Sequence, residues 1–322
     1  MVKKTNDLGL ISKYRGELMG GAILLVLTFH AFLYTSAPDL LKTITGTGKI
    51  GVDIFLILSA VGLYFSIKKK PRLISFYKKR VIRILPTYFL LAFPYFLYTA
   101  YTKHTGLAGF CADITFYTSW LGGDNPYYFI ELILICYIIM PLLYHLSEYK
   151  WGLAFIMLLC CMCYYLSAHV GRNEVVVNRI PIFAISVVGA KWVYRKVHIP
   201  YLEFGSLFLM ISIIFIANMF TFSCIMVDRI IYSIFSIPFL ITIAILLDSY
   251  KLDKLKKMLR FCGTITLEIY MINFPVIALL TRMFDNVYLI ACLTFVITIG
   301  LSYFAHQIID KSLSRVGLVT RC

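Results

Sequence analysis

Ten stretches of mostly apolar sequence, each close to the ~20 residues that carry an α-helix across a bilayer, constrain this chain more than any other feature. They run over 18–35, 50–67, 84–102, 127–146, 152–169, 180–194, 202–222, 230–248, 264–283 and 287–309. The sixth is short and the ninth is the most polar. Inside hydrocarbon a backbone must satisfy its own hydrogen bonds, which leaves helices or closed barrels. The apolar residues do not alternate as barrel strands would, and no internal repeat is present. Of 322 residues 60% are hydrophobic and 15% charged, whereas a soluble domain carries about 25% charged residues. Too little polar surface is available to cover a globule in water. The expectation is an all-α polytopic bundle of about ten transmembrane helices, read as one domain over 1–322.

The net charge of +15 comes from 31 basic and 16 acidic residues. On a soluble chain such an excess suggests nucleic acid. Here the basic residues sit between apolar runs, so the lipid bilayer is the expected partner and nucleic acid is not. Alternating the loops between two sides puts 24 Lys and Arg on one side and 7 on the other. The richer side is expected to be cytoplasmic, with both termini on it. The first run has no small-residue cleavage site, so it is read as an anchor and not a removed leader. Two connections are long. The inner one is basic, KKKPRLISFYKKRVIR over 68–83; the outer one, 103–126, carries Gly106, Gly109, Gly122, Gly123 and Pro126.

Of nine cysteines, Cys136, Cys160, Cys161, Cys163, Cys224 and Cys292 fall in apolar runs and are read as small fillers. Cys160, Cys161 and Cys163 lack a matching second pair, so no metal site is expected. The string GTGKIG over 46–51 lacks the Lys-Ser/Thr ending of a phosphate loop.

Ionisable groups in a membrane are costly and mark functional candidates. His30, in GGAILLVLTFHAFL, is placed toward the outer end of the first span; an imidazole there can take a proton from a hydroxyl. Asp53 stands one turn into the second span, at an expected depth close to that of His30, where an acid can orient the imidazole. It can equally be an acid offsetting a helix dipole. Arg80 and Arg83, with Lys79 beside them, stand at the inner mouth of the third span. Their i, i+3 spacing puts both guanidinium forks on one face, a shape suited to phosphate oxygens. Glu131, near the outer end of the fourth span, is a second candidate acid. Glu268 and Asn273 lie in the ninth span with Pro275, and Ser59 and Tyr137 are further polar positions for a pocket.

Arg15 starts the helix that carries His30, 15 residues earlier, or roughly 22 Å at 1.5 Å per residue. Phosphate-binding charge at the inner mouth and a base deep in the bundle fit one donor, acyl-coenzyme A. Its anionic nucleotide would stay at the mouth while its thin arm carries a thioester inward. A proton-coupled transporter of a glycan or lipid-linked sugar is the rival reading, with His30, Asp53 and Glu131 as a relay.

Five pieces in order, RGELMGGAILLVLTFHAFL (15–33), IGVDIFLILSAVGLYFS (50–66), FYKKRVIRILPTYF (76–89), YYFIELILICYIIMPLL (127–143) and GTITLEIYMINFPV (263–276), resemble the acyltransferase-3 family of bacterial membrane O-acyltransferases. The resemblance implies a ten-helix bundle in the bacterial inner membrane. It implies acyl transfer, with acetyl the commonest group, from acyl-CoA to a glycan hydroxyl, with no permanently bound cofactor. It makes His30 the catalytic base and Arg80 with Arg83 the family's Arg-x-x-Arg element facing the donor. Met19 stands where many members carry arginine, and Arg15, one turn earlier on the same face, is its expected substitute. Glu131 falls at a serine position of the fourth-span motif, and Asn273 stands where many members have histidine.

Overall fold

The computed structural model describes residues 7–69, 72–120, 125–169, 174–219 and 225–315. Among these every regular element is a helix, and the one β pairing is an isolated bridge between Asp7 and His198. The first part of the chain forms α1 (Gly9–Lys13), α2 (Arg15–Leu33), α3 (Asp39–Gly46), α4 (Ile50–Lys68) and α5 (Leu73–Thr102). The short α6 (Gly106–Ile114) and α7 (Tyr117–Trp120) lead to α8 (Tyr128–Glu148) and α9 (Gly152–His169). Then come α10 (Glu174–Val177), α11 (Ile180–Tyr194), α12 (Leu202–Met219) and α13 (Ile225–Ser249), and last α14 (Asp253–Thr264), α15 (Thr266–Met283) and α16 (Val287–Arg315).

Nine described stretches are long and apolar enough to cross a bilayer: α2, the α3–α4 unit, α5, α8, α9, the α10–α11 unit, and most of α13, α15 and α16. The remaining expected span falls on α12, whose Leu202–Ile214 portion is apolar; its end at 220–222 lies outside the described residues, as do Gly122, Gly123, Arg172 and Cys224. The protein is thus an all-α polytopic bundle.

The connections differ from the loops expected of them. The basic segment 68–83 is helical from Leu73 onward, so α5 carries Lys79, Arg80 and Arg83 on a rigid stalk. Residues 103–126 contain α6 and α7. Residues 251–260, which join the eighth and ninth apolar runs, belong largely to α14. There Leu255, Met258, Leu259 and Cys262 recur at steps of three and four against Lys254 and Lys257, the pattern of a helix with one apolar stripe.

Exposure sorts the helices. From Ile50 through Leu58 every residue of α4 is buried, as befits a helix that is apolar on all sides and sits in the bundle interior. By contrast α9 exposes Phe155, Leu158 and Tyr165, α12 exposes Phe204, Phe208 and Ile211, and α16 exposes Val296, Phe304 and Ile308. Water would not tolerate apolar faces of that extent, and lipid covers them.

At the centre α2 packs against α4, α14 and α15. Its crossing with α14 is backbone to backbone: a Cβ at Gly20 would run into the Leu259 carbonyl, and one at Gly263 into the Gly16 carbonyl. Small residues spaced by four permit this approach where no hydrophobic effect drives helices together. Glu17, 1% exposed, accepts from Arg260 Nε at 3.0 Å across the same crossing.

Gly20→Ala should therefore force α2 and α14 apart and destabilise the protein by about 1–3 kcal/mol. The neighbouring Gly21→Ala meets open space and should leave stability equal or slightly higher. Melting temperatures of the two variants in one detergent separate the outcomes.

Candidate active site

Five residues on one stripe of α2, Arg15, Met19, Ile23, Val26 and His30, are spaced by four, four, three and four, so they climb one side of the helix. The first four line a cavity of about 130 Å³ between α2, α4, α5, α8 and α15. Ser59, Arg80, Arg83, Tyr137, Thr266 and Tyr270 supply its polar lining, with Val52, Phe55 and Phe129 among its apolar walls. The cavity ends one helical turn short of His30, at Val26 on α2 and Tyr270 on α15.

At one end three guanidinium groups converge. Arg15, Arg80 and Arg83 interact electrostatically with one another and with the Tyr137 hydroxyl. Among the described residues none of the three forms a salt bridge. Arg15 Nε donates to the Leu58 carbonyl at 3.0 Å. Gly62 makes this possible, because a Cβ there would lie 2.7 Å from Arg15 Nη2. Arg80 lies 5.2 Å from the centre of the Phe76 ring, and its Nε is buried with no partner among the described residues. Like charges held together without a counter-ion in a partly buried site are unfavourable unless an anion joins them. Lys79 is exposed beside them and faces a neighbouring cleft.

At the other end His30 Nδ1 lies 2.8 Å from Asn273 Oδ1. The Asn273 amide is fixed by its own donors, Nδ2 to the Ile269 carbonyl at 3.1 Å and to the Tyr270 carbonyl at 2.7 Å. Its oxygen can only accept, so the His30 Nδ1–H is the donor of this contact and Nε2 is left outside it. The rings of Phe29 and Tyr34 lie near the imidazole, at 5.4 and 6.0 Å between centroids.

The two acids expected beside His30 are placed elsewhere. α4 runs antiparallel to α2, with Gly48 against Leu25 and Gly51 against Ala22. Asp53 is therefore level with the region of Gly20 and Gly21, about 14 Å from His30 along α2. It is fully buried and paired to Arg179 Nη1 at 3.2 Å and to Arg229 Nη2. It ties α4 to the start of α11 and to α13. Glu131 is 4% exposed, and neither carboxylate oxygen has a hydrogen-bond partner among the described residues. It interacts with Ser119 and Tyr88, on the side of α8 away from the cavity lining. The Tyr127 hydroxyl donates to the Met271 carbonyl at 3.3 Å, and the Phe129 amide donates to the Tyr270 hydroxyl at 3.2 Å. This pairing of α8 with α15 puts Glu131 toward the basic end from Asn273.

Glu268 is buried and accepts from His306 Nδ1 at 2.8 Å, joining α15 to α16 outside the cavity. α15 continues through Pro275 as one helix. Cys160 and Cys163 are buried in the bundle. Sequence reasoning passed over Arg179, Arg229 and His306. Arg179 and Arg229 each stand at the edge of an apolar run, where an unpaired cation is costly, and that position is the signal by which the sequence marks them.

A family model for an acyltransferase domain, acyltransferase-3, matches residues 20–307. The chain belongs to the acyltransferase-3 family. It is accordingly a multi-pass membrane acyltransferase. No curated protein and no solved structure matches it. The family segment spans His30, Asp53, Arg80, Arg83, Glu131 and Asn273, while Arg15 precedes it.

Asp53→Asn in this acyltransferase would strand two buried guanidiniums, a change that costs about 3–5 kcal/mol when a buried pair is broken from one side. Its melting temperature should fall well below that of the parent. Glu131→Gln removes no ion pair seen in the described residues and should leave the melting temperature close to the parent value.

Proposed function

We propose that this membrane acyltransferase moves an acyl group, acetyl in the first instance, from cytoplasmic acyl-CoA to a hydroxyl of an extracytoplasmic glycan or lipid-linked sugar, in the inner membrane of a bacterium. The observation that carries this reading is the single stripe of α2 that lines the cavity from Arg15 to Val26 and ends at His30. Three cations that form no salt bridge among the described residues suit the donor's phosphates. A narrow, largely apolar cavity suits its thin arm. A neutral imidazole with Nε2 available suits the hydroxyl.

In this reading His30 Nε2 takes the proton of the acceptor hydroxyl as its oxygen attacks the thioester carbonyl. The tetrahedral intermediate collapses, the C–S bond breaks, and the coenzyme A thiolate leaves with the proton that His30 returns. Asn273 positions the imidazole. Phe55 and Phe129, whose rings are 5.9 Å apart, are among the apolar walls of the cavity that suit the donor's arm. Direct attack is preferred to an acyl-enzyme, because Ser59 and Thr266 have no base hydrogen-bonded to them among the described residues. The transporter reading needs a relay, and His30, Asp53 and Glu131 are not hydrogen-bonded to one another.

With acetyl-CoA and a glycan acceptor, His30→Ala should lower kcat by about 10²–10⁴-fold while donor binding persists. Full activity in that variant would remove the mechanism. Asn273→Ala should lower kcat by about 10–100-fold, the worth of one buried hydrogen bond. Arg80→Ala with Arg83→Ala should raise KM for the donor and leave KM for the acceptor unchanged, as read from initial rates.

A further inference from the structure

A second cleft opens beside the cavity, between α5, α15 and α16. Its polar lining includes Lys79, Arg83, Thr266, Glu268, His306 and Asp310, and its volume is about 420 Å³. Arg83, Thr266 and Leu267 line both this cleft and the inner cavity. The two are therefore adjoining chambers that share one wall, with a guanidinium at the junction.

The chambers differ in kind. The inner one is narrow, walled by Val52, Phe55, Phe129 and Ile133, and directed toward His30. The outer one is wider and rimmed by the exposed Lys79 and Arg83. His306 faces it on a fixed support. Its Nδ1 is held by the buried Glu268, so Nε2 is the ring atom left for a ligand. A pair serving only to tie α15 to α16 would need no lysine and arginine gathered on the same cleft.

A molecule that fills both chambers has a slender arm and a broad, phosphorylated head. Resting on the acyl-CoA reading above, we propose that the outer cleft is the subsite for the donor's phosphorylated nucleotide. Lys79 and His306, the latter as the imidazolium that donates from Nε2–H while Glu268 holds Nδ1–H, hold its ribose phosphate, and Arg83 at the junction holds the diphosphate from which the arm departs. Asp310 at the same cleft accepts from a ribose hydroxyl, a role that acids take in other nucleotide sites. Lys79 thus acts as a point charge on one phosphate, and Arg83 as a fork on the next.

The test is binding by the full-length protein in nanodiscs, by calorimetry with acetyl-CoA and with 3′-dephospho-acetyl-CoA. The parent should bind the phosphorylated form about tenfold tighter or more, the worth of a charge-assisted hydrogen bond. Lys79→Gln and His306→Gln should each shrink that ratio, and together bring it close to one. Lys79 is exposed, so its variant keeps the fold whatever the effect of the other. Equal affinities in the parent, or a ratio that survives both substitutions, would overturn the assignment. Binding of neither form by the parent would overturn the acyl-CoA reading itself.

Discussion

One helix sets the scale of this protein. α2 carries Arg15 at its first residue and His30 in its last turn, on one side and roughly 22 Å apart. A helix in a bilayer cannot bend that distance away without leaving backbone groups unsatisfied in hydrocarbon. The separation between Arg15 and His30 is thus fixed by the backbone hydrogen bonds of α2. Every other element is arranged about it: α14 clasps its lower half through Gly16, Gly20 and Gly263, and α15 presents Asn273 to its upper end.

Charge is distributed in three layers. At the basic end the arginines around Tyr137 meet no carboxylate among the described residues, which favours an anionic guest. Deeper in, buried Asp53 pairs with Arg179 and Arg229 and so ties α4 to α11 and α13, a tie that is costly to break from one side. At the far end the hydrogen-bond partner of His30 among the described residues is a neutral amide. A carboxylate in place of Asn273 would favour the imidazolium, whereas the amide fixes the tautomer without adding charge. The Asn273 contact thereby orients the imidazole.

The adjoining chambers extend the same logic to α5 and α16. Residues at the shared wall, Arg83, Thr266 and Leu267, belong to two helices that both start at the basic end. The continuation of α5 below its membrane span puts Lys79 and Arg83 on a helix and not on a mobile loop. A donor held there would be gripped by rigid groups, which lowers the ordering cost of binding.

The amino-acid sequence by itself determined the helical class, the approximate positions of the spans and the two chemical ends, because these depend on local hydrophobicity and on the 3.6-residue period. Arg80 and Arg83 on one face, and Arg15 in line with His30, follow from that period alone. The tertiary structure decided which charges meet. Asn273 reaches His30 across 243 residues of chain, and Asp53 reaches Arg179 and Arg229 across 126 and 176. Periodicity names the face of a helix but not the helix opposite, so the acid assigned to His30 went instead to the nearest buried cations. Depth was misjudged for the same reason. The glycine contacts that slide α4 along α2 are set by backbone approach, and they lower Asp53 by about 14 Å relative to His30, a displacement that no single-helix reading contains.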